Sequence, residues 1–160
     1  MDRQNISSRV AASQPRFVEY AVAPAGAPNV VMVVLDDVGF AQLGCFGATI
    51  ATPHIDRLAQ QGLRYNRFHV TSVCSSTRAA LHTGRNHHAV GMGVTEEAAL
   101  GFPGYTGRIP KSAAMLARIL RDGGYNTMSV GKWHMTPKTD YSSAGPFHQW
   151  PLGVGFERFY

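Results

Sequence analysis

A chain of 160 residues with 44% hydrophobic and 16% charged residues has the make-up of an ordinary globular domain, which excludes a disordered tail, a collagen-like repeat and a cysteine scaffold. Fifteen Lys and Arg against ten Asp and Glu leave a formal charge of +5, but the basic residues are scattered, so a nucleic-acid footprint is not expected. The two cysteines, Cys45 and Cys74, form no Cys-x-x-Cys pair, which excludes a disulfide framework and a zinc ribbon.

Residues 1–28 are rich in Ala, Pro and Ser and weakly patterned, so they read as an N-terminal extension beside a domain spanning 29–160. They lack the apolar core of a secretory signal. The longest apolar run, residues 30–35, is far short of the roughly 20 residues that cross a bilayer. The expectation is therefore a cytoplasmic chain with neither a membrane nor a nucleic-acid partner.

The run Val30-Val31-Met32-Val33-Val34-Leu35 predicts a strand buried on both faces of a parallel sheet. Thr52-Pro53 opens a helix with Ile55, Leu58 and Ala59 as its apolar stripe and Gly62 as its stop. Residues 63–70 read as a second strand, and the segment after Ser75 as a short helix ending at Gly84. Residues 86–110, rich in Gly and His, read as a long loop, of a kind that is usually either functional or disordered. Met115, Leu116, Ile119 and Leu120 predict a helix stopped by Gly123-Gly124, and residues 125–130 a third strand. Helices alternating with strands give an α/β fold, a mainly parallel sheet flanked by helices.

Ligands of such sheets bind beyond the carboxyl ends of the strands. The first predicted strand runs into Asp36-Asp37 and the third into Gly131-Lys132-Trp133-His134. Adjacent carboxylates repel, so the pair suits a hard divalent cation, or else one Asp caps a turn and the other is solvated. Lys132 and His134 face one side of an extended segment and can share a ligand, or lie exposed, with Trp133 turned to packing. Cys74, at a predicted helix start with Arg78 one turn on, suits an anion or a thiolate, or is a plain buried cysteine.

The segment Cys74-Ser75-Ser76-Thr77-Arg78-Ala79-Ala80-Leu81-His82-Thr83-Gly84-Arg85 resembles the sulfatase signature, Cys-x-Pro-Ser-Arg followed by three residues and Leu-Thr-Gly-Arg. Asp36-Asp37, Thr52-Pro53-His54-Ile55-Asp56-Arg57-Leu58 and Gly131-Lys132-Trp133-His134 fall in the same family's order. By this resemblance the chain is identified as a member of the arylsulfatase branch of the alkaline-phosphatase-like superfamily.

The resemblance implies a sulfuric ester hydrolase acting on small sulfate monoesters. Cys74 would be oxidised to formylglycine by a maturing enzyme, and Asp36, Asp37 and the modified Cys74 would ligate Ca²⁺ or Mg²⁺. Arg78 would fix the formylglycine, Lys132 contact the sulfate and His134 hydrogen-bond the hydrate. Ser76 stands where the signature has Pro, Thr77 where it commonly has Ser, and His82 where it usually has Leu. An Asp-Asn metal block and a later His and Lys, also implied, match nothing in the 160 residues, so the chain reads as an incomplete, N-terminal part of the fold. Two other readings follow: a catalytically inactive sulfatase fragment, and a phosphonate or phosphate monoester hydrolase of the same superfamily.

Overall fold

The computed structural model describes residues 7–13 and 19–160, so part of the extension, residues 1–6 and 14–18, lies outside the described residues. Among the described residues three α-helices are present: α1 (Pro53–Gln61), α2 (Cys74–Thr83) and α3 (Leu116–Asp122). Two short strands, β1 (Met128–Ser129) and β2 (Arg158–Phe159), pair in parallel, with Met128 opposite Arg158 and Ser129 opposite Phe159. No helix among the described residues is long and apolar enough to cross a membrane.

The helix ends follow local chemistry. Pro53 fills the first position of α1, where its missing N–H costs nothing. Gly84 closes α2 with φ +64° and donates its N–H to the Ala80 carbonyl at 2.8 Å. Gly124, after α3, has φ +88°, and a Cβ there would overlap the backbone of Val22. That close approach lets Ala23 N–H donate to the Gly124 carbonyl at 3.2 Å, laying the extension against the end of α3.

The strands depart from expectation. Residues 30–35 form no strand among the described residues, and their side chains are exposed, Val31 at 85%. A cleft of about 660 Å³ is lined on one side by this segment and on the other by residues 128–132, and among the described residues no backbone hydrogen bond joins the two. Residues 63–70 are likewise exposed and outside any strand, and of residues 125–130 only Met128 and Ser129 pair. Their partner, β2, was not predicted. The stripe of α1 is also unburied, Leu58 being 71% exposed, because its main neighbour is the short turn Gly44–Phe46.

The core sits elsewhere. Ala79 of α2 packs with Val90, Met92, Ile109, Ala113, Met115, Met135 and Val154, with Trp133 and Phe156 against them. The long loop is thus a wall of the core. Buried backbone groups there are satisfied by side chains: Gln149 Nε2 donates to the Ile109 carbonyl at 3.1 Å, and Trp133 Nε1 to the Gln149 carbonyl at 3.0 Å.

Candidate active site

Cys74 is the first residue of α2, and the two residues behind it fasten that end of the helix to the loop. Ser75 and Ser76 are fully buried. The Ser75 hydroxyl donates to Glu96 Oε2 at 2.7 Å, and that of Ser76 to the Met92 carbonyl at 2.5 Å. A buried hydroxyl without such a partner would cost about 1–3 kcal/mol. Ser76, the departure from the signature, therefore has a structural role of its own.

Arg78, one turn on, faces the segment after β1. Its guanidinium donates to the Lys132 carbonyl at 2.5 Å and lies 3.5 Å from Asp36 Oδ2. Lys132 Nζ stands 2.8 Å from the same oxygen. The Lys132 hydrogen bond holds the Asp36 carboxyl below the usual carboxylate range, with Arg78 and His134 adding to it. Asp36 in turn raises the Lys132 ammonium above its ordinary value, helped by Cys74. The ends of two predicted strands thus meet at the start of α2.

His134 completes the group. Its Nδ1 is 3.0 Å from Cys74 Sγ, and its Nε2 is 2.8 Å from Glu97 Oε1 and 3.4 Å from Glu96 Oε1. Among the described residues only Asp37 and His134, both with φ +56°, are non-glycine residues with positive φ. A side chain in that region costs roughly 1–2 kcal/mol, and such strain concentrates at functional sites. Trp133 turns away into the core, its ring centroid 5.2 Å from that of His82 in a tilted pair and 5.8 Å from that of Phe156, edge to face.

His82 is half-buried beside the rings of Trp133 and Phe156. Burial, and then the Arg78 charge, pushes its imidazole down to about 4. Its Nδ1 and Arg78 Nε are buried without a hydrogen-bond partner among the described residues.

For a metal, Asp36 and Asp37 are hard oxygen donors of the kind Ca²⁺ or Mg²⁺ takes. Asp36 Oδ2 is already compensated by two cations. Among the described residues, the acidic, His and Cys ligand atoms that gather within 4.8 Å of one another are those of Glu96, Glu97 and His134. The two glutamates had no signal in the sequence beyond their place in the Gly-rich loop.

A sequence model of the family described as Sulfatase matches residues 28–160. An uncharacterised sulfatase of Schizosaccharomyces pombe is 40% identical over 115 residues, covering 68% of this chain and 21% of that protein. Human arylsulfatase D is 37% identical over 145 residues, covering 89% and 24%, and human arylsulfatase A is 38% identical over 142 residues, covering 86% and 26%. A solved Bacteroides thetaiotaomicron structure, described in connection with the metabolism of multiple glycosaminoglycans, superposes with a TM-score of 0.54 at 30% identity, covering 78% of this chain and 26% of that one. The chain thus spans about a quarter of the length of these relatives.

Proposed function

The chain belongs to the sulfatase family, and from that premise we propose that it carries the nucleophile side of a sulfuric ester hydrolase acting on small sulfate monoesters. The observation that carries this reading is the convergence of Cys74, His134, Lys132 and Arg78 around the first turn of α2. A maturing enzyme would oxidise Cys74 to formylglycine. That group supplies a hydrated aldehyde, with one hydroxyl for attack on sulfur and a second for expelling sulfate.

The remaining residues bind, orient and move protons. Lys132, held protonated by Asp36, offers its ammonium to a sulfate oxygen. Arg78 anchors the Lys132 backbone, so the ammonium and the start of α2 keep a fixed separation. His134 Nδ1, 3.0 Å from Sγ, is in place to exchange a proton with an oxygen carried at residue 74. Asp36 and Asp37 would hold Ca²⁺ or Mg²⁺ together with the modified Cys74. Two carboxylates supply only part of the roughly 6–8 oxygens that Ca²⁺ takes. The cation, when bound, draws electron density from the sulfate oxygens.

The test is turnover of p-nitrophenyl sulfate, p-nitrophenyl phosphate and a phosphonate monoester by the expressed protein and by Cys74→Ala, with intact mass reporting whether the residue 74 thiol has become an aldehyde. Sulfate turnover that needs Cys74 and the aldehyde is expected. A preference for the phosphorus esters supports a phosphonate or phosphate hydrolase instead, and an unmodified thiol without turnover supports an inactive sulfatase.

A further inference from the structure

His134 is gripped from both ends, and the grip at Nε2 comes from residues outside every motif of the sequence. Glu97 Oε1 lies 2.8 Å from Nε2, and Glu96 Oε1 lies 3.4 Å from it. The two carboxylates differ in setting. The Glu96 side chain is completely buried, with Oε2 accepting from Ser75 at 2.7 Å and Oε1 from Tyr141 at 2.5 Å. The Glu97 side chain is 44% exposed and nearer the imidazole.

Each oxygen of the Glu96 carboxylate accepts from one hydroxyl, and each hydroxyl ties it to a different part of the site. Ser75 is the residue next to Cys74, so Glu96 has a fixed position relative to the nucleophile. Glu97 follows it in the short turn Glu96–Ala98 and inherits that placement. A neutral imidazole has one N–H to give. With carboxylate oxygens at one ring nitrogen and Cys74 Sγ at the other, the carboxylate takes the proton.

We propose that Glu97, held in place by the buried Glu96, is a positioning residue for His134: it accepts the Nε2–H, fixes that tautomer and leaves the Nδ1 lone pair aimed at the residue 74 side chain. The logic is that of a carboxylate orienting a base toward a nucleophile. The strained backbone of His134 fits the same role, because a residue at φ +56° is held there by what its side chain grips. The consequence for turnover rests on the sulfatase reading, whereas the tautomer does not.

The experiment records long-range ¹H–¹⁵N correlations of the His134 ring in ¹⁵N-histidine-labelled protein, for the wild type, Glu97→Ala and Glu97→Gln, with steady-state kinetics on p-nitrophenyl sulfate alongside. The wild type is expected to show a protonated Nε2 and a bare Nδ1. Glu97→Ala should give a mixed tautomer and a kcat lowered about 10–100-fold with KM little changed. Glu97→Gln, whose amide oxygen still accepts the Nε2–H, should restore most of both. Because Glu97 is on the surface, its variants spare the core; Glu96→Gln, which keeps the buried volume, is the second probe and should loosen the same tautomer. A protonated Nδ1 in the wild type, or Glu97→Ala with tautomer and kcat unchanged, overturns the proposal. Ca²⁺, Mg²⁺ or Zn²⁺ displacing the Nε2 proton also overturns it, since the three residues would then be a metal site. A fixed tautomer in a protein that never turns over sulfate esters defeats the reading as an active sulfuric ester hydrolase and leaves the positioning role standing.

Discussion

Lys132 Nζ and Asp36 Oδ2 are 2.8 Å apart, and this pair joins the end of the extended segment 30–35 to the end of β1. Neither residue's role is separable from the other's. The carboxylate keeps the ammonium charged, and the ammonium keeps the carboxylate ionised.

Replacing Lys132 by Met should lower kcat/KM for sulfate esters by about 10²–10³-fold, the usual loss when a preorganised charge at an anionic reacting group is removed. It should also raise the Asp36 carboxyl toward its ordinary value. Asp36 has a depressed value in the folded state, so its stabilising effect is present above the unfolded-state value and is lost as pH falls through the folded-state value. In Lys132→Met that acid-induced loss shrinks. A ¹³C titration of the Asp36 carboxyl together with steady-state kinetics checks both; an unmoved titration would remove Lys132 as its main cause.

Chelation should abolish turnover, and added Ca²⁺ or Mg²⁺ should restore it. Asp37→Asn is the informative variant, because Asn tolerates the left-handed backbone of residue 37 while losing the charge. It should raise the divalent-ion concentration giving half-maximal activity by at least about tenfold. Activity indifferent to chelator would rule out a cation at these carboxylates.

Ser76→Pro restores the residue of the resembled signature, at a cost that the structure locates. Residue 76 is in the first turn of α2 and its N–H makes no backbone hydrogen bond among the described residues, so proline is tolerated there. The lost hydroxyl leaves the Met92 carbonyl without its donor, about 1–2 kcal/mol of stability. The expected result is a larger aldehyde fraction at residue 74 by intact mass and a lower urea midpoint. Ser76→Ala should show the stability loss alone.

His82 makes stability fall on mild acidification. Its value is near 4 when folded against 6.5 when unfolded, so the unfolded chain takes up a proton that the folded chain refuses. Stability is full above the unfolded value and drops between there and about 4, by about 3 kcal/mol in all. His82→Leu, filling the same space against Trp133 and Phe156, should remove this part of the loss. Urea unfolding of both proteins at about pH 7.5 and about pH 4.5 decides it; equal losses in the two would eliminate His82 as the cause.

Helix ends were legible from local chemistry. Pro53, Gly84 and Gly123 act on backbone conformation within a few residues, so α1 starts, and α2 and α3 stop, where these residues require. The spacing of Cys74, Arg78, Lys132 and His134 likewise named four residues that the structure brings together. Strand pairing was not legible, because a β-branched run states a preference for extended backbone and says nothing about which segment supplies its hydrogen bonds. Residues 30–35 therefore lie apart from β1, and β1 pairs with Arg158–Phe159 instead.

What the sequence determined by itself is the set of groups its motifs carry: a thiol, a guanidinium, an ammonium, an imidazole and two carboxylates, in an order that resembles one family. What only the tertiary structure decided is how those groups are wired. Glu96 and Glu97 reach His134 from a Gly-rich loop with no periodicity to point at them, and Asp36 meets Lys132 across most of the chain. Hydrogen bonds between such distant residues depend on how the core packs, and packing leaves no mark at any one position along the chain.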